Sequence, residues 1–486
     1  MSIHVSLRLV SALAVAAIVT WAAPSFAAKP DCGMNTGKAA TGQPIPIGAV
    51  TTMSGAGSFK EADEAVEAYF KCANANGGVL GRPIVYSDID DQSKLDVAAQ
   101  AGKKLVIDEG VFAMVGSTSI IECISNAEMY IKQNVLEIGE GIPSQCYQSK
   151  NIAEVNAGPR QSGIGGADFA RRKLGVKSLV CSIPKFPGSD YSCNGLELWG
   201  KKYGVKVTSV YTDPVSPDYG SIVLQLMATG AEAVMIYGTD DIGVQIMSAA
   251  EQQDAAAKMK WTVPTSFYTV RFPGAIDSKY WNDRLWANTE LAPLDSKGKD
   301  NLNWIAVMDA YGGKSLRDSF SQAGYIAARI AINAMLTIGD PAKINRATVT
   351  AAIQNVKPYA TDILCQPWYW GGPGATEHNP NHVTRTAVIH NGGWKNVEGC
   401  ANDPDPGLTN VLAIEAKLGI GPTTASATTS GGEHHFVLPA GAKVLTAQDE
   451  GNRVMLRLAL SSGGEQLVVL DWKTGAAVSS ITLDMK

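Results

Sequence analysis

The sequence has few charges and few aromatics. Asp, Glu, Lys and Arg make up 18% of its 486 residues and Phe, Trp and Tyr 7%, against 45% hydrophobic residues. It has no run of Lys or Arg, and the formal charge is -5. Those two absences exclude nucleic acid as the main partner and a polybasic membrane patch. No two cysteines stand in C-x-x-C spacing, which removes redox motifs and zinc ribbons. Nucleophile elbows (G-x-S-x-G), H-E-x-x-H and a G-x-G-x-x-G after a strand are also missing. No enzyme, metal or cofactor is therefore expected. Gly313-Lys314-Ser315 resembles the end of a P-loop, but Met308 stands where its first Gly belongs, so a turn is expected.

Beyond Leu9–Ala23 there is no long apolar run. That segment follows a short, weakly basic start and precedes Pro24, with Ser25 and Ala27 at the small positions before a cut. It is shorter than the roughly 20 residues needed to span a bilayer and reads as a secretory signal peptide, residues 1–27. The eight cysteines fit an oxidising compartment. Local pairing in chain order predicts Cys32–Cys72, Cys123–Cys146, Cys181–Cys193 and Cys365–Cys400.

What the chain does contain is a repeated alternation of apolar strands and amphipathic helices. Strand-like runs fall at Pro46–Val50, Pro83–Ile89, Val111–Val115, Ser178–Ile183, Val205–Tyr211, Ala233–Tyr237 and Trp261–Phe267, with helical spacing between them. This is an α/β pattern with parallel strands, and the length fits two sheets of five or six strands. Val383–His390 and Trp394–Val397 form a hairpin around Asn391-Gly392-Gly393. Residues 422–432, within PTTASATTSGG, read as a linker. Beyond them, residues 433–486 change to period two and predict a small β domain of four antiparallel strands.

Three clusters invite a chemical reading. His378 and His382 are four apart, but Pro380 breaks the helix that would align them, so a solvated loop closed by a disulfide is expected. Asp88, Asp90 and Asp91 read as strand-end and helix-cap residues. The loops after two strands, Thr51–Phe59 (with Ser54) and Gly116–Ser119, are rich in hydroxyls and glycine. Such loops at strand ends in open α/β sheets make a cradle for an anion.

The stretches IGAVTTMSG (47–55), NANGGVLGRPI (74–84), DDQS (90–93) and KLVIDEGVFAMVGS (104–117) resemble, in order and spacing, the type I periplasmic solute-binding proteins of ABC importers, leucine/isoleucine/valine group. The resemblance covers residues 44–410. It implies two Rossmann-like lobes joined by three crossovers, near Asn156–Gly163, Leu291–Lys297 and Tyr359–Cys365. Lobe 1 would comprise 44–158 with 295–362, and lobe 2 would comprise 159–292 with 366–412. It further implies a ligand carboxylate held by Ser117, Thr118 and Ser119, a following loop at Gly139-Glu140-Gly141, an aromatic contact from Phe59 and an ammonium contact from Tyr191. Thr239 and Asp240 would lie in the next second-lobe loop. Relatives place an acid one strand later, whereas Pro264–Tyr268 has none; Asp240 or Glu140 could supply that charge. The function so implied is an exported, periplasmic, non-enzymatic protein. It would carry a small polar ligand, such as an amino acid or related compound, to an ABC permease in the inner membrane. The alternative is a ligand sensor on the same fold.

Overall fold

The computed structural model describes residues 30–55, 57–373, 375, 382–402, 405–420, 443–449, 453–460, 464–471 and 477–483. The leader, the linker, His378 and His434-His435 lie outside them.

Strands and helices alternate from the start. They run β1 (Ile45–Thr51), α1 (Lys60–Ala75), β2 (Ile84–Asp90), α2 (Leu95–Lys103), β3 (Ala113–Ser119), α3 (Glu122–Gln133), β4 (Glu137–Gly141) and the short α4 (Ser144–Gln148). The four strands form a parallel sheet in the order β2-β1-β3-β4. The chain then enters α5 (Gly158–Leu174). It continues through β5 (Ser178–Pro184), α6 (Asp190–Tyr203), β6 (Lys206–Thr212), α7 (Tyr219–Ala228) and β7 (Ala233–Ile236). After these come α8 (Asp240–Gln252), β8 (Lys260–Val263), α9 (Phe272–Ala275) and β9 (Leu285–Thr289). It returns to the first lobe as α10 (Lys299–Tyr311), α11 (Ser319–Leu336) and α12 (Arg346–Gln354). A last passage gives β10 (Val383–His390), β11 (Gly393–Asn402) and α13 (Thr409–Leu418). The second sheet has seven strands in the order β11-β10-β9-β8-β7-β5-β6, antiparallel only at the β9-β10-β11 end.

The fold is thus α/β with two lobes and three crossovers. The sheets have four and seven strands rather than five or six each. The extended segment after α4 only bridges to β4, through Ile152 beside Glu137, and the hairpin extends the second sheet. Trp261–Phe267 also splits. Pro264 ends β8, and Thr265–Phe267 forms a 3-10 turn.

Packing explains the returning helices. α11 is almost wholly buried and crosses α1 so closely that a Cβ on Gly324 would lie 2.0 Å from the Ala62 carbonyl oxygen. Tyr69 and Tyr325 meet edge-on across this crossing at 5.3 Å. In the second lobe, buried Trp199, Trp261 and Trp281 fill the core, each full aromatic burial contributing about 1.5–3 kcal/mol. Trp368 braces the crossovers by donating from its indole N–H to the Glu154 carbonyl, 3.1 Å away.

All four disulfides join the pairs expected from local pairing: Cys32–Cys72, Cys123–Cys146, Cys181–Cys193 and Cys365–Cys400. The Asn391-Gly392 turn has positive φ at both residues, 51° and 80°, as a two-residue hairpin requires. His382 is not solvated. It is buried, with Nε2 2.8 Å from Glu415 Oε1, because α13 folds over the loop and brings that carboxylate down onto it.

From residue 426 onward the chain forms a separate unit. Its strands β12 (Lys443–Asp449), β13 (Arg453–Ala459), β14 (Glu465–Asp471) and β15 (Ala477–Leu483) make an antiparallel meander in chain order.

Candidate functional site

The carboxyl ends of both sheets face a cavity of about 400 Å³, within the size range of small-molecule sites. The first lobe contributes the ends of β3 and β4 and the loop before α1. The second contributes the ends of β5, β7, β8 and β9. The lobes meet at its edge, where a Cβ on Gly57 would lie 2.6 Å from the Thr239 methyl group.

Four of the expected residues line this cavity: Phe59, Thr118, Glu140 and Thr239. Phe59 is buried and packs on Phe320 at 5.1 Å, forming one aromatic wall. Thr118 faces the cavity, but its hydroxyl donates to the Gly116 carbonyl at 3.1 Å. Thr239 caps α8, and its buried hydroxyl has no hydrogen-bond partner. Glu140 is only 5% exposed, and its Oε1 has no partner. It stands on β4 itself, not on a following loop. Burial, reinforced by Glu290, Asp318, Glu154 and Asp63, pushes its carboxyl well above the usual range.

The other six lie off the cavity wall. Ser117 Oγ accepts from the Val50 amide at 3.3 Å. Ser119 Oγ donates to Asp91 and accepts from the Ile121 and Glu122 amides at 3.0 and 2.9 Å. Its hydroxyl is therefore spent on the start of α3 rather than on a ligand. Ser54 is exposed and donates to Asp90 at 2.5 Å. Gly139 sits inside the sheet, where a Cβ would meet the Ser117 carbonyl oxygen at 2.5 Å. The Tyr191 ring lies under the Arg160 guanidinium at 5.0 Å. Asp240 is buried and paired with Arg271 through two bonds of 2.5 Å, which neutralises it beside the cleft. Asp90 and Asp91 serve structure. Asp90 accepts from the amides of Met53 and Gln92, and Asp91 from the amide of Ser93.

Much of the wall was not anticipated. Ile120, Ile142, Ile183, Phe186, Ile242 and Phe320 make it predominantly apolar, with several prolines between them. Tyr237, at the end of β7, presents a buried hydroxyl without a hydrogen-bond partner. Glu290, just past β9, lines the cavity and also accepts from the amides of Ala157 and Gly158 at 2.7 and 3.4 Å, capping α5 at a crossover. Burial raises its pKa from the ordinary 4.5 to about 7. The rule that open α/β sheets bind ligands beyond the carboxyl ends of their strands, applied to the second lobe, would have pointed to Ile183, Tyr237 and Glu290. No Lys, Arg or His is among the described residues that line the cavity.

Two α/β lobes joined by three crossovers thus hold a partly open cavity of small-molecule size between their facing strand ends. The chain belongs to the periplasmic binding protein family, whose model matches residues 44–393. Three similar solved structures share the fold. One is a possible leucine/isoleucine/valine-binding protein from Rhodopirellula baltica, with 16% identity, a TM-score of 0.62, and coverage of 75% of this chain and 97% of that one. Another is a fatty acid ABC transporter substrate-binding protein from Thermomonospora curvata, with 18% identity, a TM-score of 0.66, and coverage of 76% and 95%. A third is an ABC transporter solute-binding protein from Rhodopseudomonas palustris in complex with 3,4-dihydroxybenzoic acid, with 15% identity, a TM-score of 0.63, and coverage of 75% and 99%. Among curated proteins none matches this sequence.

Proposed function

We propose that the protein is exported on residues 1–27, captures a small molecule with an apolar body between its lobes, and hands it to an ABC permease in the inner membrane. No chemistry is performed on the ligand. The observation that carries this reading is the partly open cavity of about 400 Å³ between the lobes, on a chain whose family model spans residues 44–393. The apolar wall moves the reading from a small polar solute toward one whose bulk is hydrophobic. The similar structures named for leucine/isoleucine/valine, a fatty acid and a dihydroxybenzoic acid are consistent with that shift. Closure is a hinge motion at the crossovers, so a ligand touching both lobes shifts the open–closed population.

The test is a thermal-shift screen of the mature protein against amino acids, aromatic acids, fatty acids, amides and amines. A ligand at 100 times its dissociation constant adds about 2.7 kcal/mol. Small-angle scattering should show compaction on adding the ligand so found. A screen without a stabilising compound, and scattering unchanged by any of them, would overturn the reading.

A further inference from the structure

Carboxyl side chains stand on both faces of the cavity. Glu140 enters from the first lobe and Glu290 from the second. Asp318, capping α11, Asp63 on α1 and Glu154 beside β4 also act on Glu140, and all three are buried. Among the described lining residues there is no cation to answer them. Glu290 is engaged by the two crossover amides, whereas Glu140 keeps a buried oxygen without a partner.

A ligand carboxylate would find little here. The Ser119 and Thr118 hydroxyls already donate to Asp91 and the Gly116 carbonyl. The Asn156 amide donates to the Gly141 carbonyl at 2.9 Å. Tyr237, Thr239 and Thr265 offer hydroxyls, but a hydroxyl carries no charge, and no Lys, Arg or His among the described lining residues can pair with a carboxylate. An ammonium group meets the opposite situation. An acid buried against an apolar wall is costly as an unpaired ion, and a cation placed against it recovers that cost. Phe59 and Phe320 also line the cavity, and aromatic rings attract cations.

We propose that the cavity binds a primary amine with an apolar body and no carboxylate, its ammonium group paired with Glu140. The inference rests on the solute-binding reading and names the ligand class for that same site.

It predicts a pH signature. The amine needs Glu140 as carboxylate, while in the empty cavity burial and Glu290, Asp318, Glu154 and Asp63 favour the acid. Binding then releases a proton, and affinity rises with pH as long as the amine, with its own pKa of ~10, stays protonated. A ligand that accepts a proton from Glu140 shows the reverse.

The experiment is calorimetric titration of the mature full chain with four compounds of one shape: 2-phenylethylamine, 2-phenylethanol, L-phenylalanine and 3-phenylpropionic acid. The amine is expected to bind at least about tenfold tighter than the others, with affinity increasing with pH. Glu140→Gln should weaken the amine by about 10- to 100-fold and 2-phenylethanol by far less. Tighter binding of either carboxylate compound, or an amine affinity flat in pH, overturns the inference and leaves solute capture standing. Absence of binding by all four overturns the inference alone if the screen above finds a ligand of another class, and both readings if it finds none. Should Glu140→Gln fail to fold, the parent's pH profile decides.

Discussion

Gly163 has no side chain because Tyr237 occupies the place where one would be. A Cβ built there would lie 1.6 Å from the Tyr237 hydroxyl oxygen. Tyr237 lines the cavity, so this glycine on α5 sets the position of a cleft side chain contributed by β7's end. Gly163→Ala should push the ring into the cavity or shift α5. Overpacking of this kind costs about 1–3 kcal/mol. Urea denaturation should show the loss, and ligand titration a parallel fall in affinity. A variant as stable as the parent and with unchanged affinity would show that Tyr237 can move aside freely. Gly141 bears a related constraint on β4, where a Cβ would lie 2.5 Å from both the Cys146 Cβ and a Glu154 carboxylate oxygen.

At the scale of elements, the Cys123–Cys146 bond ties the first turn of α3 to α4 beneath the end of β4. Replacing both cysteines by Ala should cost about 2–4 kcal/mol, measured by denaturation under non-reducing conditions; an unchanged midpoint would mean that packing alone holds α4. The cavity draws every lining residue from before residue 421. A chain ending at Ile420 should therefore bind the same ligand with the same affinity. A truncated protein that folds and does not bind would assign the final meander a part in capture.

The elements also show what can be read in advance. Strands β1, β2, β5 and β6 and helices α6, α8 and α11 are written in apolar runs and helical spacing, so their order was legible. β4 was not, because Glu137-Ile-Gly-Glu-Gly buries two carboxylates and two glycines where a strand signal expects Val or Ile. The hydroxyl-rich loops marked the correct end of the first sheet. They did not reveal which hydroxyls are free, since that depends on Asp91 and the Val50 amide reaching them across the sheet. The apolar wall comes from the ends of separate strands, one or two residues from each, a pattern that no window along the chain can display.

For the whole molecule, buried acids dominate the electrostatics. Glu122, Glu290 and Asp318 are each pushed up to about 7, with burial the largest cause. Glu137, Glu140, Glu154 and Asp63 are likewise raised well above their ordinary values, again mainly by burial. A carboxyl raised in the folded state holds its proton where the unfolded chain has released it. Its stabilising contribution is complete below the unfolded pKa and is lost as pH climbs through the folded value. For Glu290, the move from 4.5 to about 7 corresponds to on the order of 3 kcal/mol between acid and neutral pH. Asp90 and Asp405 are shifted down by hydrogen bonds and, for Asp405, by Arg160; they stabilise the fold above ~3.8 and lose that effect only below it. The ligand-free protein should therefore be most stable near pH 5 and weaken toward about pH 8, the window set by the raised carboxyls. Urea midpoints at both pH values check this, with Glu290→Gln flattening the profile by removing one titrating group. A midpoint that rises between the two would mean that these acids are ionised in the fold and paired with cations. An amine in the cleft acts against the trend, since its ammonium group stabilises the ionised form of Glu140. The gap between liganded and free midpoints should accordingly widen with pH.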